Sequence, residues 1–117
     1  MKSIFSTILA FFLVAFSSLT FAHECGEIPT APSLVDGATS SMDDLVANSQ
    51  TVKSYIEVAD AHLDCTAEYR TTIAYKDLPS DEKDVIDDQR SNLLEERNSI
   101  GDDFNAEVAA FQEANPQ

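Results

Sequence analysis

Residues 41–73 read SMDDLVANSQTVKSYIEVADAHLDCTAEYRTTI, and no glycine or proline interrupts the chain from Ala38 to Asp77. Met42, Leu45, Ser49, Val52, Ile56, Ala59, Leu63, Thr66 and Ile73 fall mostly at alternating spacings of three and four. That is the seam of a helix packed on another helix. Tyr55, Val58, His62, Cys65 and Tyr69 form a second stripe beside it. Ser40 and Ser41 stand just ahead, and an acid three residues after a serine N-cap is the pattern of a capping box, with acids in the first turn suiting the helix dipole. The pattern predicts one long helix over 41–74, about 50 Å long from its rise per residue.

Downstream, Lys76-Asp77-Leu78-Pro79-Ser80 reads as a short connection, with Ser80 as the next N-cap. Val85, Ile86, Gln89, Leu93, Ile100, Phe104, Val108 and Phe111 then recur at helical spacing. Two long helices and a short link make an antiparallel hairpin, and no period-two alternation argues for strands. The expected fold is all-α, with a helical hairpin domain over 41–114.

Upstream of Ser41, Pro29, Pro32 and Gly37 mark residues 23–40 as an extended arm, because proline lacks an N–H and disfavours helix in the residue before it. Residues 1–22 are of another kind. Lys2 is their only charge, and Ile4 to Phe16 is an apolar run broken only by Ser6 and Thr7. Small residues, Thr20 and Ala22, then precede His23. This is the pattern of a secretory signal peptide cut between Ala22 and His23, and the run is short for a membrane span. Removal of residues 1–22 from 117 leaves 95, with no transmembrane segment expected in the mature chain.

That mature chain keeps 6 basic residues against 21 acidic ones, a net charge of −15. Such a surface argues against nucleic acid and anionic lipid as partners. It holds two cysteines, Cys25 and Cys65, which in an oxidising compartment read as one disulfide. A link over 40 residues stabilises by roughly 4 kcal/mol in the chain-entropy model. It would tie the arm to the middle of the first helix and let it cover the stripe of Tyr55, Cys65 and Tyr69. Asn105 and the two tyrosines are candidates to satisfy the arm's backbone polar groups. A dimer forming a four-helix bundle would bury more of the hairpin, and monomer and homodimer both remain open.

The pattern Cys25-x3-Pro29-x2-Pro32, Asp36-Gly37-Ala38, Met42, Tyr55-Ile56, Cys65, Phe104-Asn105 and Phe111 resembles an uncharacterised family of small exported helical proteins of Gram-negative bacteria. The resemblance implies a periplasmic or outer-envelope location and a hairpin with a stapled arm. It implies no particular activity. This chain is more acidic than the pattern leads one to expect, and His23 is not part of it.

The chemistry-bearing residues are few. Glu57, Asp60, Asp64 and Glu68 line one helix face, but a straight helix spreads carboxylates too far apart to surround one ion, so they read as a solvated face. A Gly-x-Ser-x-Gly elbow, a glycine-rich phosphate loop and an inward Glu-x-x-His motif are all missing from the sequence. No catalytic residue is assigned, and a non-enzyme is expected. His23 and His62 each lie close to a cysteine, so the disulfide would bring them into one neighbourhood. An N-terminal His23 offers its α-amine and an imidazole nitrogen, and His62 a third nitrogen, a donor set suited to Cu(II). The expected function is an exported protein, periplasmic or secreted, that binds an unknown envelope protein partner or serves a structural role. A copper or other metal-binding module through His23 and His62 is the alternative, and an acid-activated periplasmic chaperone is a more distant one.

Overall fold

The computed structural model describes residues 25–117, and the signal-peptide and His23 assignments lie outside them. Helix α1 runs Met42–Tyr69, a short helix α2 runs Ile73–Lys76, and helix α3 runs Ser80–Ala114. No strand occurs among the described residues. Helices α1 and α3 pack against each other as the hairpin.

The start of α1 follows from its sequence. Ser41 is the N-cap: its hydroxyl accepts from the Asp44 N–H, and the Asp44 carboxylate accepts from the Ser41 N–H. Two of the orphan donors of the first turn are thereby satisfied reciprocally.

The helix ends at Tyr69, short of the expected 74. Thr71 and Thr72 explain the stop, since their hydroxyls donate back to the carbonyls of Glu68 and Tyr69. Such local side-chain bonds compete with the helical ladder. Thr72 then caps α2, accepting from the Tyr75 N–H. Ile73 leaves the seam in consequence and is 76% exposed. Ser80 is the first helical residue of α3 rather than its cap. Pro79 takes that place, and its carbonyl accepts from the Lys83 N–H.

The core lies along the hairpin seam. Val52, Tyr55, Ala59 and Leu63 from α1 meet Leu93 and Ile100 from α3, with Ala31 and Leu34 of the arm and Ile56 and Phe104 packed against them. At the closed end, Arg70 pairs with Asp87 at 2.8 Å, and the Tyr75 hydroxyl donates to the same carboxylate. The Tyr75 ring meets Tyr69 edge to face at 5.9 Å.

Candidate functional site

The arm has no regular structure, so its backbone groups need partners from elsewhere. The helices supply them. Buried Asn48 reads the arm in both directions: its Nδ2 donates to the Ser33 carbonyl at 3.0 Å, and its Oδ1 accepts from the Val35 N–H at 3.1 Å. From α3, Glu96 Oε1 accepts both the Ala31 N–H at 3.0 Å and the Tyr55 hydroxyl at 3.2 Å. About three turns further on, Glu107 Oε2 accepts the Gly37 N–H at 2.7 Å. The Cys25–Cys65 disulfide closes the other end, with Cα atoms 5.7 Å apart.

Gly37 is buried directly against α3. A Cβ there would overlap the Glu107 carbonyl oxygen and stand 2.7 Å from its carbon. Close backbone approach is what requires glycine at this position.

Tyr55 is the hinge of this arrangement, 6% exposed and at the centre of the core. Burial, then the nearby Glu96 carboxylate and the hydrogen bond to it, push its hydroxyl up to about 12. On the other flank of α1, Arg97 donates to both oxygens of Asp60, at 2.7 and 3.0 Å. That pairing holds the Asp60 carboxyl below its ordinary value.

Of the second stripe of α1, Cys65 is bonded to the arm and Tyr55 belongs to the core on which Ala31 and Leu34 of the arm pack, His62 is buried, and Tyr69 meets Tyr75 instead. Val58 stays 55% exposed. Asn105 is exposed and lines the far side of the hairpin, so the amide that holds the arm is Asn48. The Tyr55 hydroxyl reaches the arm only through the Glu96 carboxylate they share. Asn48, Glu96 and Glu107 are the residues that sequence reasoning missed. Asn48 left a signal, an amide three residues after Leu45 and four before Val52 in an apolar seam. Glu96 and Glu107 left none, being two carboxylates among many.

His62 is 8% exposed, and its Nε2 is buried without a hydrogen-bond partner. Its Nδ1 lies 3.5 Å from Thr66 Oγ1, whose hydroxyl donates to the His62 carbonyl at 2.9 Å. Among the described residues, no group of three His, Cys, Asp or Glu side chains is arranged to hold a metal ion. No helix among them is long and apolar enough to cross a membrane.

Together these features define a two-helix hairpin whose irregular arm is fixed by one disulfide and three hydrogen-bonding side chains. Comparison with protein-family models, with curated proteins and with solved structures finds no match for the chain.

Proposed function

We propose that this is an exported, non-enzymatic helical protein of the cell envelope, periplasmic or secreted, that acts by binding a protein partner or as a structural component. The observation that carries the reading is the Cys25–Cys65 disulfide, which sits just past the leader pattern of residues 1–22 and fixes the arm to α1. Such bonds persist in oxidising compartments and stabilise small domains whose core is limited. The polar groups near the arm serve its docking, which suits a binding or structural role.

The test is expression with residues 1–22 in a Gram-negative host, followed by fractionation and intact-mass measurement. The expected product is an envelope or extracellular chain beginning at His23 with both thiols oxidised. Cytoplasmic protein with two alkylatable thiols overturns the reading.

A second reading is a Cu(II) module, favoured by the unpartnered Nε2 of His62, one turn from Cys65. His62 would hold the metal together with the α-amine and imidazole of a processed His23. Because the ligands must be deprotonated, binding weakens in acid. The reading expects one Cu(II) bound by the native N-terminus and none of that affinity when a residue precedes His23. Equal affinity in the two forms removes it.

A further inference from the structure

The hairpin has a second side, away from the arm. Asn48 and Tyr55 face the arm, whereas Ser49 and Ile56 each lie one residue on, about 100° around α1. Here α1 and α3 enclose a groove of about 400 Å3 whose lining includes Val52, Ile56, Gly101 and Phe104. The groove belongs to a longer strip. Met42, Val46, Ser49, Lys53, Ile56 and Asp60 recur along α1 at spacings of four and three. Leu94, Arg97, Gly101, Phe104, Val108 and Phe111 do the same along α3. These rows flank the seam that joins the two helices, and Ile56 and Phe104 also pack against its core. Their outer apolar positions are exposed: Met42 is 55% exposed, Val46 50% and Leu94 41%.

Charge identifies the occupant. The 6 basic residues beyond Ala22 face 21 acids, yet Lys53, Arg90 and Arg97 all fall on this side. Glu57 and Asp60 stand among them, and Asp60 is already neutralised by Arg97. The Nε of Arg90 is buried and finds no acceptor among the described residues. This strip is thus close to charge balance within a strongly acidic molecule, so two copies that meet here face less repulsion than anywhere else on the acidic surface.

We infer that a second copy of the chain seats on this face about a twofold axis, forming a four-helix bundle. Gly101 leaves open space, since beyond its own helical turn no atom lies within 4 Å of where its Cβ would stand. A side chain from the other copy fills it as a knob. Each protomer carries a large net negative charge, so salt strengthens the association by screening the repulsion. A basic partner on the same face would respond to salt in the opposite sense.

The experiment is sedimentation equilibrium of the processed, oxidised protein between about 0.05 and about 0.5 M NaCl. The expected result is a dimer whose Kd falls as salt rises. Gly101→Leu and Val46→Glu each raise that Kd by at least about tenfold, while circular dichroism stays that of a folded helical protein. Both positions are open in the single chain, so either substitution leaves the hairpin able to fold. A chain that stays monomeric up to about 1 mM at high salt overturns the proposal. So does a dimer whose Kd Gly101→Leu leaves unchanged, or a monomer that binds polylysine through this face.

Discussion

One side of the hairpin is covered by a segment without regular structure, and the other is bare. The covered side is polar in its details. Asn48, Glu96 and Glu107 each meet a backbone group of the arm, and Gly37 lets the chain press onto α3. The bare side carries the exposed Met42, Val46 and Leu94 and open space beside Gly101. The difference has a physical cause. An irregular segment lacks its own hydrogen-bond ladder, so the surface beneath it must supply donors and acceptors at fixed places. A helix arriving from another molecule brings its backbone bonds already made and asks only for shape and charge balance. Polar groups at fixed places thus mark the side built for the arm, and an open apolar seam marks the side suited to helices.

The largest expected effect removes the clamp. Cys65→Ala, made together with Cys25→Ala so that no odd thiol remains, lowers stability by roughly 2–5 kcal/mol, the usual cost of removing a native disulfide from a small domain. Residues 25–36 become sensitive to protease while α1 and α3 stay helical by circular dichroism. Equal melting and equal protease resistance in the oxidised wild type and this variant would show that the covered side does not depend on the clamp.

Next comes Gly37→Ala. One methyl group must displace either the Asp36–Ala38 turn or the backbone of α3 at Glu107. Overpacking of this kind costs about 1–3 kcal/mol. Urea titration measures it, and an unchanged midpoint would mean that the arm stands off the helix.

The architecture is legible in the sequence because it rests on spacing. Most of the α1 seam, the serine cap with Asp44 and the cysteine pair are all local or countable, although Met42 and Ser49 lie exposed and Asn48 and Tyr55 are buried in their stead. The stop at Tyr69 was missed because two threonines decide it through their own hydroxyls, which the absence of proline and glycine does not reveal. The partners of the arm were missed for a different reason. Glu96 and Glu107 meet residues 65 and 70 positions away, and nothing in their own neighbourhood sets them apart from the other acids. Asn48 was readable as a misplaced amide, and Asn105 drew attention only through its place beside Phe104.

A smaller effect is expected in alkali. The Tyr55 hydroxyl is raised from 10.0 to about 12. The folded state therefore holds this proton where the unfolded chain has begun to release it. The stability it contributes is fully present below pH 10.0, and is lost as the pH rises through about 12. An ionised Tyr55 would also face the Glu96 carboxylate that holds Ala31. Tyrosinate absorbance should show a late step coinciding with the arm becoming protease-sensitive. Tyr55→Phe should remove that step and keep the packing. Early ionisation of Tyr55 in the folded protein would show that its hydroxyl is not sealed beneath the arm.

Gly101→Ala is the smallest perturbation and the sharpest test of the contrast, because it repeats the Gly37 change on the bare side. Gly101 lies inside α3, where glycine costs about 1 kcal/mol relative to alanine. Beyond its own helical turn, no atom lies within 4 Å of the added methyl group. In the single chain the substitution should raise stability by up to about 1 kcal/mol, measured by urea titration at a concentration too low for self-association. At high concentration the same methyl group narrows the hole that a second copy would enter, so the dimer should gain less than the monomer. The two glycines thus divide by sign: an added methyl destabilises where the arm lies on α3 and stabilises where the helix is bare. Destabilisation of the dilute protein by Gly101→Ala would mean that the bare side is already filled within one chain, and the contrast between the two sides would fail.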